Sequence, residues 1–220
     1  MTTFKGQMYI NVIITAGGIS SRFGNRNKLL EKIHGKEVIK YTVEAFEKAG
    51  VDEIIVCANP AIIEDLKKIL GCRIIEGGTT RQESVFNGLK AAECDYVLIH
   101  DAARPMVAVD LIKQAMEEVK VKKALTAATK TVDTIKEVEN GKIIRTIDRA
   151  NLYNTQTPQA FEYKLIKAAH QKLVGQNFTD DAGMLEALGV DVYIINGSPQ
   201  NIKLTTPEDL EFAKMYLADC

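Results

Sequence analysis

The sequence predicts an α/β chain built on a Rossmann-like, mainly parallel sheet with helices on both faces and a protruding β-arm. Short apolar runs rich in β-branched residues alternate with segments of helical periodicity, the rhythm of βαβ units. Three of these runs end in glycine or acidic turns, and ligands of open α/β sheets collect at that carboxyl edge. Later in the chain two alternating segments flank Asn140-Gly141, a strong signal for a tight hairpin.

Each element follows from its pattern. Residues 9–15 read as a first strand, and Ile39, Val43, Phe46 and Ala49 then recur at helical spacing. Residues 53–58 read as strand, 60–70 as helix, 72–75 as strand, 82–92 as helix, 96–100 as strand and 124–128 as a further strand. Segments 131–138 and 142–147 make the arm, a subregion covering residues 131–152. A lone two-stranded ribbon is marginal in water, so Val132, Ile135, Ile143 and Ile147 are expected to pack on another surface, and a homodimer through this arm is expected. The last third reads as a helix over 161–173, another starting near Thr179, a strand over 190–195 and a final helix after Thr206. There Pro207 stands at the first helical position and Asp209 at the third, behind a hydroxyl cap.

With 220 residues, 46% of them apolar, the chain is expected to form a single domain over 1–220. Twenty-eight basic and 29 acidic residues leave a net charge of -1, so a cationic site must be local and nucleic acid is not an expected partner. No apolar run approaches the roughly 18 residues of a membrane span, and residues 1–7 are polar, so a cytoplasmic protein with no membrane partner is expected. Cys57, Cys72, Cys94 and Cys220 form no CxxC pair, and three of them sit in or beside apolar runs, where cysteine behaves as a small hydrophobe.

Three clusters carry candidate chemistry. After the first strand, Gly17 and Gly18 free the backbone to take positive φ and to bring N–H groups close to an anion, and Arg22, Arg26 and Lys28 follow. The spacing fits neither a P-loop nor G-x-G-x-x-G. A plain tight turn is the competing reading, but turning does not require the cations. The second cluster, Gly77-Gly78-Thr79-Thr80-Arg81-Gln82-Glu83-Ser84, closes a strand and opens a helix whose N–H groups suit polar ligand atoms; Thr80 and Ser84 read equally as caps. In the third, His100-Asp101-Ala102-Ala103-Arg104-Pro105, Asp101 emerges at a strand end, where a carboxylate suits Mg²⁺ or a ribose hydroxyl. A simple Asp101–Arg104 pair is the alternative.

Thr134, Arg149, Thr157, Thr179, Asp180 and Lys203 are further candidates. From the residues alone, Thr179 and Asp180 read equally as caps, and Arg149 and Lys203 as surface charges. His100 is the one histidine near the expected site and reads as a packed strand-end residue. The sequence has no H-E-x-x-H, paired CxxC or G-x-S-x-G. That favours phosphoryl or nucleotidyl transfer, in which the protein holds phosphates and stabilises developing negative charge.

These motifs, Thr15-Ala16-Gly17-Gly18 with Arg22 and Lys28, Gly77-Gly78 with Arg81 and Ser84, and His100 through Pro105, resemble the 2-C-methyl-D-erythritol 4-phosphate cytidylyltransferase family. The likeness continues through Val132-Asp133-Thr134-Ile135-Lys136, Asp148-Arg149, Gln156-Thr157-Pro158-Gln159, Thr179-Asp180-Asp181 and Asn201-Ile202-Lys203-Leu204-Thr205. It implies that a sugar-alcohol phosphate attacks the α-phosphorus of CTP and releases pyrophosphate, with Mg²⁺ or another divalent cation as cofactor. CTP and methylerythritol phosphate are the implied partners.

By motif position the resemblance implies that Arg22 and Lys28 stabilise the α-phosphate. Ala16, Gly17, Gly18, Gly78, Arg81 and Ser84 would surround the nucleotide, and Asp101 and Ala102 would sit near ribose or the metal. Arg149 and Lys203 would orient the acceptor, helped by Thr134, Thr157, Thr179 and Asp180, with Thr134 reaching into the partner's site. The chain departs from the family pattern at Thr15, Gly17, Ser20 and Thr79-Thr80, where proline, alanine, glycine and an acidic pair are usual. Ribitol 5-phosphate is the alternative acceptor. A non-catalytic nucleotide-sensing module is the alternative from another class, and a Rossmann oxidoreductase is the weakest because its fingerprint is absent.

Overall fold

A computed structural model describes residues 8–18 and 27–219. Arg22, named above as catalytic, lies outside the described residues. Eleven strands and seven helices are described, beginning with β1 (Ile10–Ala16), a short β2 (Lys32–Ile33) and β3 (Lys36–Glu37) hairpin, α1 (Val38–Ala49), β4 (Glu53–Ala58), α2 (Ile63–Ile69), β5 (Arg73–Glu76) and α3 (Arg81–Ala91). The chain continues through β6 (Tyr96–Asp101), α4 (Val109–Lys122), β7 (Ala124–Lys130), β8 (Ile135–Glu139), β9 (Lys142–Ile147), β10 (Tyr153–Glu162), α5 (Tyr163–Lys172), α6 (Asp181–Glu186), β11 (Tyr193–Asn196) and α7 (Pro207–Tyr216).

Seven strands form one sheet in the order β11-β7-β10-β6-β1-β4-β5. Its neighbours pair in parallel except at β10, which runs antiparallel to both β6 and β7. Alternation along the strands explains the two layers. Val12, Ile14 and Leu98 face Phe46 of α1 and Ile112 of α4, while Ile13, Ile55 and Ile99 face Val85 and Leu89 of α3 and Ile166 of α5. One residue of register slip would exchange these sets, so two apolar layers hold β1, β4 and β6 in place and thereby fix where their carboxyl ends emerge.

Four elements lie outside those the sequence reading assigned: the short strands β2 and β3, helix α4 and strand β10. Helix α4 buries Leu111, Ile112, Ala115 and Val119. Strand β10 runs through Thr157-Pro158-Gln159, although proline normally argues against a strand interior. The conflict resolves locally, because the β10–β7 register is irregular between Thr155 and Gln159, so Pro158 sits where ladder pairing is interrupted. The strand also takes Phe161, and α5 starts at Tyr163 rather than at 161. The last strand is shorter than expected, Tyr193–Asn196.

The hairpin forms as the Asn-Gly signal predicts. Asn140 (φ 49°) and Gly141 (φ 79°) both adopt the left-handed region that a two-residue hairpin of this hand demands. Strands β8 and β9 make a two-stranded sheet separate from the seven-stranded one, and Val138, Ile143 and Ile144 are exposed on it.

Candidate functional site

The carboxyl ends of β1 and β6 and the start of α3 surround a cavity of about 240 Å³. Ala16, Gly17 and Gly18 form one wall, Gly78 and Arg81 another, and Lys28, Asp101 and Lys203 contribute charge. The first two sequence clusters therefore meet in space, although roughly 60 positions separate them in the chain.

Close approach rather than positive φ distinguishes Gly17 and Gly78, which corrects the sequence reading, since Gly17 and Gly18 are not among the positive-φ glycines and a Cβ on Gly18 would meet nothing within 4 Å. A Cβ on Gly17 would come within 3.1 Å of Ser84 Oγ, and one on Gly78 within 2.1 Å of Glu83 Cβ. The turn and the helix start are thus pressed together. Thr80 caps α3 by accepting from the Glu83 N–H, and the Glu83 carboxylate accepts from the Thr79 and Thr80 N–H groups in return. Ser84 is buried; its Oγ accepts the Gly78 N–H at 3.0 Å and donates to the Thr80 carbonyl at 2.9 Å, so it braces the glycine turn.

Asp101 is the electrostatic centre. One oxygen lies 2.9 Å from Lys203 Nζ, the other 3.3 Å from Arg81 Nε, and Arg104 Nε is 3.6 Å away. Burial alone would push this carboxyl up, but Lys203, Arg81 and Arg104 outweigh it and hold it well below the ordinary aspartate range. Ala102 does not reach the cavity as expected. It is fully buried, its N–H bonds to Thr15 O and its carbonyl accepts from Thr42 Oγ1, and Ala103 lines the wall instead.

Behind Asp101 a polar chain fixes the end of β6. The Asp101 N–H donates to Thr157 Oγ1 at 3.1 Å, that hydroxyl bonds His100 Nδ1 at 2.9 Å, and His100 Nε2 meets the Arg104 carbonyl at 3.3 Å. A carbonyl only accepts, so Nε2 carries a proton, and because burial disfavours a second one, Nδ1 accepts from Thr157 and His100 is neutral. Burial pushes the imidazole down to about 3. In the unfolded chain it titrates near ~6.5. His100 therefore contributes stability that is fully present above that unfolded value and is lost as pH falls towards the folded one, at up to about 1.4 kcal/mol per pH unit. His100→Gln is expected to flatten the dependence of urea stability on pH between about 4 and 6 by that amount. An unchanged slope would contradict the neutral assignment.

A second cavity, of about 280 Å³, shares Arg81, Asp101 and Lys203 with the first. Arg104, Thr155, Thr157, Thr179 and Asp180 complete its charged and hydroxylic lining. Asp180 caps α6, accepting from the Gly183 N–H at 2.9 Å, and accepts Gln159 Nε2 at 2.8 Å. The capping reading of Asp180 thus holds alongside its place in the wall. The sequence reading left Arg104 as a pairing partner only. It is largely buried, donates from Nη1 to the Asn201 carbonyl at 2.6 Å, and its Nε makes no hydrogen bond. Its position in the His100-to-Pro105 run was the signal that could have found it.

Thr134 and Arg149 are exposed on or beside the arm and line neither cavity, Arg149 bonding instead to the Val132 carbonyl. Lys28 Nζ donates to the Leu204 carbonyl at 2.7 Å, tying the residues after the glycine turn to the segment that carries Lys203. Among the described residues no group of three His, Cys, Asp or Glu side chains is placed to hold a metal. Among the described residues Asp101 is the one carboxylate lining the first cavity, which suits Mg²⁺ held mainly by phosphate oxygens and water rather than by a protein cage.

Residues 10–219 match the family model described as 2-C-methyl-D-erythritol 4-phosphate cytidylyltransferase. A protein of that name from Alkaliphilus oremlandii is 42% identical over 222 residues, covering 94% of each chain. One from Nostoc punctiforme is 41% identical, covering 96% of this chain and 98% of its own. Among solved structures, the 4-diphosphocytidyl-2C-methyl-D-erythritol synthase of Anaerococcus prevotii superposes with a TM-score of 0.85 at 33% identity, over 96% of this chain and 99% of that one. The Thermus thermophilus cytidylyltransferase superposes with a TM-score of 0.84 at 32% identity, over 97% and 100%.

Proposed function

Because the chain belongs to the 2-C-methyl-D-erythritol 4-phosphate cytidylyltransferase family and is a CTP-dependent nucleotidyltransferase of isoprenoid precursor synthesis, we propose that the two cavities meeting at Asp101 divide the two substrates between them. The observation that carries this reading is the junction at Asp101, where Arg81 and Lys203 line both spaces and bind the same carboxylate. CTP takes the first cavity and methylerythritol phosphate the second. An oxygen of the acceptor phosphate bonds to the α-phosphorus, the bond from that phosphorus to the bridging oxygen breaks, and pyrophosphate leaves with the electron pair.

The nucleophile is already an anion, so no general base is needed, and the barrier lies in bringing two anions together. Lys28, with Arg22, stabilises the α-phosphate. The main chain at Ala16, Gly17, Gly18 and Gly78 approaches the nucleotide closely, with Arg81 beside it and Ser84 bracing the turn. Lys203 and Arg104 hold the acceptor phosphate, while Thr179 and Asp180 line its pocket and Thr157 acts through Asp101. A divalent cation held by Asp101 and the triphosphate would neutralise phosphate charge.

Arg149 and Thr134 reach the acceptor cavity of a partner subunit across a homodimer. Support comes from Val132, Val138, Ile143 and Ile144, apolar residues left exposed along the arm. A pyrophosphate-release assay with CTP and Mg²⁺ tests the acceptor. Release is expected to be fast with methylerythritol phosphate and slow with ribitol 5-phosphate, and the reverse order would overturn the acceptor assignment.

A further inference from the structure

Asp181 and His170 take no part in the reaction as described, yet among the described residues they form a fully enclosed polar pair between α5 and α6. Asp181 is 1% exposed and His170 2% exposed, with His170 Nε2 lying 3.0 Å from Asp181 Oδ1. The other Asp181 oxygen is 2.7 Å from Arg81 Nη1. Four elements converge on this point. Arg81 opens α3, His170 lies on α5 with its ring stacked on Phe86 of α3, Asp181 opens α6, and Gln159 of β10 accepts the Asp181 N–H at 3.1 Å.

Arg81 is thereby shared between two carboxylates, Nη1 on Asp181 and Nε on Asp101. Burial raises the Asp181 carboxyl, but Arg81 and His170 together hold it ionised. A buried ion pair is a poor means of stabilising a fold, because apolar residues of the same volume serve as well or better. What a carboxylate provides here, and a leucine would not, is direction. A guanidinium released from Asp181 is free to form a two-pronged pair with Asp101, the preferred geometry of arginine with a carboxylate. That pair would compete with Lys203 for Asp101 and would draw the arginine away from the nucleotide cavity.

We propose that Asp181, oriented by His170, is a positioning residue that divides Arg81 between two carboxylates and so sets the guanidinium facing CTP. The proposal rests on the assignment of Arg81 to the nucleotide. Asp181→Asn keeps the shape and loses the charge; it is expected to raise KM for CTP about tenfold, equivalent to about 1.4 kcal/mol, with the KM for methylerythritol phosphate changed far less. Arg81→Met should raise the same constant at least as much, and adding Asp181→Asn to it should have no further effect, because the residue through which Asp181 acts is gone.

Should Asp181→Asn fail to fold, His170→Phe carries the same test, since it keeps an aromatic ring beside Phe86 and removes the bond to Asp181. Its expected result is a several-fold rise in KM for CTP that vanishes in the Arg81→Met background. An unchanged KM in Arg81→Met would overturn the placing of Arg81 itself. Normal KM for CTP in Asp181→Asn alone, or effects that multiply in the double variant, would overturn the positioning role and leave that placing intact.

Discussion

Lys28→Ala is expected to lower turnover a hundredfold or more, about 2.7 kcal/mol in the barrier, while the fold persists. The size follows from the charges. Two phosphate groups approaching to about 4 Å at an effective dielectric of 20 repel by about 4 kcal/mol per pair of unit charges, and a lysine between them removes a comparable amount. Lys28 is half-buried at the cavity wall, where water screens it less than it would at the surface. The Leu204 carbonyl that Lys28 bonds is a neutral acceptor, and a phosphate oxygen is a stronger partner than that carbonyl once CTP arrives. Losing that bond in the variant costs the fold only about 1 kcal/mol. The measurement is single-turnover pyrophosphate release at saturating substrates; a variant that turns over within about threefold of the parent would show that Lys28 only assists binding.

The parallel sheet was legible because the alternation of apolar runs with helical spacing is repeated in every unit from Ile10 to Asp101. The arm was legible from Asn140-Gly141, since few other residues accept two successive positive φ values. Strand β10 was not, because Pro158 breaks the local signal while its neighbours are buried by β6 and β7 from distant parts of the chain. The site divides in the same way. Glycine turns and Asp101 announce themselves through residue type at a strand end, and the structure brings them to one cavity. That Gly17 and Gly78 mark a close approach, rather than a special backbone conformation, depends on Ser84 and Glu83 folding back against them, a contact no spacing reveals. Ala102 and Ala103 are adjacent and identical in type, and only packing under Thr42 and Thr15 decides which of them faces the ligand. Asp181 escaped notice because it reads as a helix-start acid, and its partners Arg81 and His170 lie on two other helices.

Arg104→Met carries the second large effect and bears most directly on the division of substrates between two cavities meeting at Asp101. Arg104 lines the acceptor cavity and not the nucleotide cavity. Burial depresses its basicity, opposed by Asp101 3.6 Å from its Nε, and the largely buried side chain lines the space assigned to the sugar phosphate. Arginine–phosphate bonds are charge-assisted and frequently two-pronged, and methionine fills similar volume without them. Steady-state kinetics on Arg104→Met with each substrate varied in turn should show KM for methylerythritol phosphate raised more than about tenfold and KM for CTP within about twofold of the parent. A rise in KM for CTP as large as that for the acceptor, or an acceptor KM left unchanged, would contradict the two-cavity account.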